Sequence, residues 1–316
     1  MKNYNLDEIA EWAIGGDSYT REEILSLPNY YLVVEIKSNS PSVVKCETLS
    51  NGNMEQRQFS MFRMIENLCS KYQIPDLVFG YCGHDASPNP NGPFFTHSRI
   101  KGTFGRNILA PCFTFYGYPE RNPEVIKGYE QTWSELIETN TDNKIKWEDK
   151  KNSCVFVGTI SEHNNRLDNT SISLEAGLSL DLINQSADSS NFISREDLSK
   201  YKFLLHLNGN AGAYASRFKY LLGTKGLVVY NYNSGNRNNF WEEWWMKDDV
   251  FKEGVHFVSV SNKMECEEKL KYYFENQNFA EEIAENGFSF FREFLDPENV
   301  EKYWVSLLNC YAKKLK

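Results

Sequence analysis

The chain has 316 residues, of which 41% are hydrophobic and 15% aromatic, enough to form one large or two smaller folded cores. Its 34 basic and 43 acidic residues give a net charge of −9, and no basic run stands out. This balance argues against a nucleic-acid backbone as the main partner and favours a small anionic ligand.

The cysteines indicate the compartment. There are seven, an odd number, and no CxxC pair occurs, which predicts a reducing environment. The first residues are polar and acidic, unlike a signal peptide. No apolar run of about 18 residues is present, so we expect no transmembrane segment and a cytoplasmic protein.

Residues 1–115 show strand and helix patterns in alternation, which predicts a small α/β domain. After an opening helix or two, the predicted elements are strands at 30–37 and 43–49, a helix at 59–72, and strands at 74–81 and 107–117. A linker rich in proline and mixed charge follows, and we place the end of this domain at residue 120.

The second half repeats the alternation and predicts a second α/β domain over 121–294. Its predicted elements are a helix at 131–139, a strand at 153–159, a helix at 171–182, a strand–turn–helix–strand unit at 201–232, a strand at 255–260 and a helix at 263–276. A last helix, broken near Asp296-Pro297, closes the chain. We expect two Rossmann-like domains that face each other, with helix 295–316 packing back on the first.

The glycine-rich turn inside 201–232 predicts a phosphate site. Gly209 and Gly212 let the backbone approach a ligand closely. Ser216, Arg217 and Lys219 follow in the first turns of the predicted helix, where N–H groups and cations favour an anion. The alternative is an ordinary strand-to-helix turn with two solvated cations.

An aspartate after the buried strand of the first domain is a candidate general base. Asp85 follows that strand beside His84 and is suited to accept a proton from an alcohol. Asp76 opens the same strand and is the poorer candidate. The alternative for Asp85 is an Asx turn that orders its loop.

Three further patterns complete the candidates. Arg166, in a polar loop, is a possible second phosphate or uridine contact or a surface arginine. Trp241, Trp244 and Trp245 have helical spacing, which predicts a packed helix face. The histidines show no metal-ligand spacing, and no DxD-type motif follows a strand.

Several of these segments, in order, resemble glycosyltransferase family 90, the group of capsule-associated xylosyltransferases and protein O-glucosyltransferases. The matching pieces are PDLVFGYCGHD, NILAPCFTFYG, WEDKKNSCVFVGT with Arg166, KYKFLLHLNGNAGAYASRFKYLLGTKGLVV, GVHFVSV and IAENGFSFFREFL. Members often carry an arginine directly before the aspartate and a proline two residues after it, whereas this chain has His84 before Asp85 and Pro88 three residues after Asp85.

The resemblance implies a GT-B-like fold and an inverting transfer of xylose or glucose from a UDP-sugar to a glycan or other hydroxyl acceptor, without a metal. By position it implies that Asp85 is the base and that Arg217 binds the diphosphate. It places the other candidates near the nucleotide: Gly158, Arg166, Gly209, Gly212, Ser216 and Lys219. Without a targeting signal, the chain resembles a cytoplasmic form from a bacterium or a virus.

Two other functions stay open at this point. The loop around Asp85 departs from the family pattern, which is compatible with a module that binds a nucleotide or glycan without catalysis. A different nucleotide-dependent enzyme, such as a kinase, would require a Mg²⁺ site.

Overall fold

A computed structural model of the chain describes residues 4–46, 52–85, 89–103, 105–116, 132–141, 145–158, 160, 178–184, 193–209, 212–234 and 237–316. The helices are α1 (Leu6–Ile14), α2 (Arg21–Leu25), α3 (Gly52–Lys71), α4 (Trp133–Thr141), α5 (Arg195–Leu198), α6 (Phe218–Leu222), α7 (Lys263–Glu275), α8 (Gln277–Glu293) and α9 (Pro297–Ala312).

The longer strands are β1 (Leu32–Lys37), β2 (Ser40–Lys45), β3 (Leu77–Cys82), β7 (Lys151–Gly158), β8 (Ser179–Asn184), β9 (Tyr201–Leu207) and β10 (Leu227–Asn231). The shorter ones are β4 (Phe95–Thr96), β5 (Arg99–Ile100), β6 (Ile108–Leu109), β11 (Asn233–Ser234), β12 (Arg237–Asn238), β13 (Trp241–Glu242) and β14 (Val258–Val260).

The chain divides into two compact units. Unit 1 consists of Met1–Leu136, Glu242–Val250 and Asp296–Lys316, and unit 2 of Ile137–Trp241 and Phe251–Leu295. Each contains a five-stranded sheet, with the orders β2-β1-β3-β4-β6 and β14-β10-β9-β7-β8. The predicted α/β, GT-B-like class is therefore confirmed at the level of its two α/β units.

The sheet of unit 1 is mixed. Strands β1 and β2 form a hairpin whose turn residues Ser38 and Asn39 have φ of 51° and 61°, the left-handed values of a two-residue hairpin turn. Strand β1 is also antiparallel to β3, whereas β3, β4 and β6 are parallel. Unit 1 therefore differs from an all-parallel Rossmann sheet, because a two-residue turn joins only antiparallel strands.

Helix α9 packs against α1 and supplies buried aromatic side chains to unit 1. The hydroxyl of Tyr303 donates to the Leu109 carbonyl oxygen at 2.8 Å, and that of Tyr311 donates to Val78 O at 3.1 Å. Trp304 is fully buried and donates from Nε1 to the Met64 sulfur. The expected packing of the C-terminal helix on the N-terminal part of the chain is confirmed.

The sheet of unit 2 is parallel throughout. Its central strands β9 and β10 are buried at every position, as expected where helices cover both faces of a parallel sheet. The core includes Phe156, Phe203 and Val229, together with Ala280 and Ala284 of α8.

The largest differences between predicted and observed elements fall at three places. The helix expected at 171–182 is contradicted at its end, because β8 begins at Ser179 and pairs with β7; residues 171–177 lie outside the described part. The strand expected at 107–117 is only β6, and a 3-10 turn follows at Phe113–Phe115. Trp241, Trp244 and Trp245 are buried, as expected, but turns rather than a helix hold Trp244 and Trp245.

None of the helices in the described ranges combines the length and the apolar character that a membrane span requires.

Candidate functional site

The carboxyl edge of the unit 2 sheet brings together most of the residues predicted to bind a donor. Because β7, β9 and β10 are parallel, their last residues Gly158, Leu207 and Asn231 lie at one edge. The chain between β9 and α6 carries Gly209, Gly212, Ser216 and Arg217 at this edge. Ligands of open parallel sheets bind at such edges.

The turn after β9 is shaped by its own hydrogen bonds. Gly209 N donates to Ala213 O at 2.6 Å, and Gly212 N donates to Gly209 O at 3.2 Å. A Cβ atom at Gly209 would lie 2.7 Å from the Tyr214 carbonyl oxygen, so only glycine fits there. Gly212 has φ of 77°, and its carbonyl accepts a hydrogen bond from Trp241 Nε1 at 2.8 Å.

Asn208 connects this turn to the neighbouring strand. Its side-chain amide donates to Tyr232 O at 3.1 Å and to Asn239 O at 2.8 Å, and its oxygen accepts from the Tyr230 hydroxyl at 2.8 Å. Asn208 is buried, and it is not among the residues predicted from the sequence to have a role. Its position directly after a strand and before the first glycine of the turn is the signal that could have identified it.

Arg217 lies across the ends of two strands. Its guanidinium donates to the carbonyl oxygen of Val157 in β7 and, at 3.2 Å, to that of Leu207 in β9. It also stacks over the Phe156 ring, 4.8 Å from the ring centroid. These contacts hold a planar cation at the carboxyl edge, the type of group that binds a diphosphate with two parallel donors.

Lys219 differs from its expected setting because it is fully buried. Its Nζ lies 3.1 Å from the Ser216 carbonyl oxygen and 3.5 Å from the Tyr214 hydroxyl, so the ammonium supports the turn from inside. The alternative of solvated cations is wrong for this residue. Helix α6 is also shorter than expected: it begins at Phe218, with Arg217 as its N-cap.

In unit 1 the candidate base Asp85 follows β3 and has a side chain that is 46% exposed. Its Oδ1 accepts a hydrogen bond from Arg57 Nη1 at 2.8 Å, and its Oδ2 lies 3.4 Å from Nη2. Arg57 belongs to α3, and no pattern in the sequence pointed to it. The two residues are 28 positions apart, so no local motif contains both.

Burial, and to a smaller extent the Arg57 charge, lower the pKa of His84, and the Asp85 carboxylate opposes this only in part. The lowered pKa favours the neutral imidazole, and the cation in contact with Asp85 is Arg57. Asp76, the poorer candidate, accepts a hydrogen bond from Ser38 N at 2.7 Å and fixes the β1–β2 turn.

Arg166 lies outside the described residues. In the described ranges no group of three His, Cys, Asp or Glu side chains is arranged to hold a metal ion.

Comparison with known proteins gives a consistent family assignment. The family described as Glycosyl transferase family 90 matches residues 52–316. O-glucosyltransferase rumi of Drosophila melanogaster is 29% identical over 241 residues, which cover 71% of this chain and 55% of that protein. Protein O-glucosyltransferase 1 of Homo sapiens is 32% identical over 120 residues, covering 38% of this chain and 28% of that protein. The chain thus spans about half or less of the length of these relatives.

Two solved structures show weaker similarity. One is an alpha1,3-fucosyltransferase, with a TM-score of 0.39 and 14% identity, covering 72% of this chain and 71% of that one. The other is Anabaena Alr3699/HepE in complex with UDP-glucose, with a TM-score of 0.38 and 8% identity, covering 57% and 54%.

Proposed function

Because this chain belongs to glycosyl transferase family 90, we propose that it is an inverting glycosyltransferase that moves a sugar from a UDP-sugar donor to a hydroxyl acceptor. Glucose is the first sugar to test, since the relatives are named O-glucosyltransferases, and xylose is the second. The acceptor is a glycan or another molecule that presents an alcohol. The proposed compartment is the cytoplasm, and the odd number of cysteines, with no CxxC pair, is compatible with it.

The observation that carries the proposal is the gathering of Gly158, the turn residues Gly209 and Gly212, and the Arg217 guanidinium at the carboxyl edge of a parallel sheet. When the bond between the anomeric carbon and the diphosphate breaks, negative charge grows on the departing UDP. A cation already fixed in position stabilises such charge without reorganising at the moment of reaction. We assign this role to Arg217, with the backbone of the turn as its partner.

We assign Asp85 as the general base. The acceptor O–H bond breaks and its proton goes to the carboxylate, while the acceptor oxygen forms a bond to the anomeric carbon and UDP leaves. Attack opposite the leaving group turns an α-linked donor into a β-linked product. Half exposure at the carboxyl end of β3 supports this role, since a base must reach its substrate.

No metal is part of this proposal. The charge of the leaving group is neutralised by the arginine and by backbone N–H groups instead.

A second candidate is a module that binds a nucleotide or glycan without turnover. One observation favours it: the Asp85 carboxylate accepts hydrogen bonds from Arg57 and so has a structural role of its own.

The experiment that separates these functions is a UDP-release assay with UDP-glucose and UDP-xylose, with and without a chelator, in water and with simple sugar acceptors. We expect release from at least one donor, undiminished by the chelator. Binding of UDP without release from any donor would support the second candidate. Release that the chelator abolishes would contradict the metal-free mechanism.

A further inference from the structure

Arg57 reaches Asp85 from a different element of unit 1. It projects from α3, and its Nη1 donates both to Asp85 Oδ1 and to the Gly83 carbonyl oxygen, each at 2.8 Å. The second nitrogen, Nη2, lies 3.4 Å from Asp85 Oδ2. One guanidinium thus contacts both the carboxylate and the backbone two residues before it.

The guanidinium is itself held in place. Its central carbon lies 4.7 Å from the centroid of the Phe113 ring, in the 3-10 turn after β6. The Arg57 side chain is 19% exposed, against 46% for Asp85. An arginine fixed between a ring and a carbonyl has little freedom, so it transmits a fixed position to the more exposed carboxylate.

The two carboxylate oxygens are held unequally. Oδ1 accepts a short hydrogen bond, whereas Oδ2 is 0.6 Å farther from its nitrogen, the difference between 3.4 and 2.8 Å. A proton transfer needs one oxygen within hydrogen-bond reach of the acceptor hydroxyl and correctly directed. The anchored oxygen fixes the direction of the group, and the other is the one better placed to accept a proton.

We propose that Arg57 is a positioning residue for the transfer reaction: it anchors Asp85 through Oδ1 and so presents Oδ2 to the acceptor hydroxyl. This inference rests on the proposed function of Asp85 as the base. Arg57 itself does not touch the sugar or the acceptor in this role. A lysine at the same position would supply charge but only a point contact, without the planar fork.

The test uses Arg57→Ala and Arg57→Lys, with Arg63→Ala as the matched control. Arg63 lies on the same helix and also contacts a carboxylate, Glu66 at 2.7 Å, and a ring, Phe59 at 4.8 Å. The assay is UDP release from UDP-glucose with water as the acceptor. Thermal unfolding and UDP affinity are measured for every variant.

We expect Arg57→Ala to lower kcat by about 10²-fold, the size of effect that a misplaced catalytic group produces, while the KM for UDP-glucose stays within about twofold. Arg57→Lys should lose less, and Arg63→Ala should match the unaltered protein. Added guanidinium, at concentrations well below those that unfold the protein, should restore part of the activity of Arg57→Ala but none to Asp85→Asn.

A purely structural ion pair would not give this pattern, because its loss would lower stability and donor affinity together and guanidinium would not restore kcat. If Asp85→Asn is inactive while both Arg57 variants keep full kcat, this inference is overturned and the proposed function stands. If Asp85→Asn is fully active, the proposed base is wrong and the inference falls with it. Should Arg57→Ala fail to fold, Arg57→Lys decides by the same comparison.

Discussion

In the two units, different types of side chain donate hydrogen bonds to backbone carbonyl oxygens at the sheets. In unit 1, neutral tyrosine hydroxyls of α9 donate to strand carbonyls: Tyr303 to Leu109, and Tyr311 to Val78. In unit 2, cations take this role. Arg217 bonds to carbonyl oxygens at the carboxyl ends of β7 and β9, and Lys150 bonds to Ser199 O and Thr224 O, just before β9 and β10.

The charged residues that are buried also differ between the two units. Among the Lys, Arg, Asp and Glu side chains of the described ranges, the buried ones in unit 2 are Lys150, Lys202 and Lys219, whereas those in unit 1 are Glu242 and Glu243. A buried ion is costly unless it is paired or hydrogen-bonded, and carbonyl oxygens meet this need for a cation. Unit 2 therefore encloses lysine side chains within its framework, whereas unit 1 encloses glutamates.

The largest effect that would sharpen this comparison is expected from Asp85→Asn in unit 1. Loss of the base should lower the rate of UDP release by about 10²–10⁴-fold, the usual contribution of general base catalysis. UDP affinity by calorimetry should not change, because the nucleotide is assigned to unit 2. Asp76→Asn, at the other end of β3, is the control and should retain full activity. If the Asp85→Asn variant releases UDP at the normal rate, Asp85 is not the general base, and unit 1 does not supply it through this residue.

Arg217→Ala tests the other side of the comparison. We expect UDP affinity to fall by about 1.5–3 kcal/mol, the value of a hydrogen bond to a charged group. Uridine, which lacks the diphosphate, should bind with unchanged affinity. Equal losses for UDP and uridine would mean that Arg217 only ties the ends of β7 and β9 together. Arg217→Lys keeps the charge, so its UDP affinity should lie between those of the unaltered protein and Arg217→Ala.

The smallest effect concerns Lys150, whose pKa is lowered to about 8 by burial and, secondarily, by the Lys225 charge. Between pH 8 and the ordinary value of 10.5, the unfolded chain binds a proton at this site that the folded protein lacks. The free energy of unfolding should therefore rise with pH in this window, by at most about 1.4 kcal/mol per pH unit.

The measurement compares denaturant unfolding of Lys150→Met with that of the unaltered protein across this pH range. The rise of the unfolding free energy with pH should disappear in Lys150→Met. It should persist in Lys151→Met, because Lys151 is exposed to solvent. An identical pH slope in all three proteins would show that the charge of Lys150 is not linked to folding.

The sequence predicted the parallel core of unit 2 well, because β9 and β10 are rich in apolar residues, and Gly209 follows the first strand and Gly226 precedes the second. It failed at β8, where a helix was predicted although Leu178, Leu180 and Leu182 alternate with polar residues, the period of two that is typical of a strand. The tryptophans have helical spacing, yet packing alone required them to be buried. Short apolar segments do not distinguish helix from turn or strand without tertiary context.

The candidate site was predictable where it depends on backbone features and hidden where it depends on distant partners. Gly209 and Gly212 were identified from the turn that they form. Arg57 was missed because its contact with Asp85 joins α3 to the end of β3, and pairing across elements leaves no mark in a local pattern. The burial of Lys219 was missed for a different reason: its contacts with Ser216 and Tyr214 are local, but a lysine near a turn is ordinarily exposed to solvent.

The assembly of unit 1 from three separate stretches affects how the protein is made. During synthesis, residues 137–241 and 251–295 are all available for unit 2 before α9 leaves the ribosome. The sheet of unit 1 must wait for Tyr303, Trp304 and Tyr311, all fully buried in the finished protein. Strands β1 to β3 are thus translated before the strands of unit 2 but are covered only after α9 has emerged, and in the interval they expose apolar surface of the kind that chaperones bind.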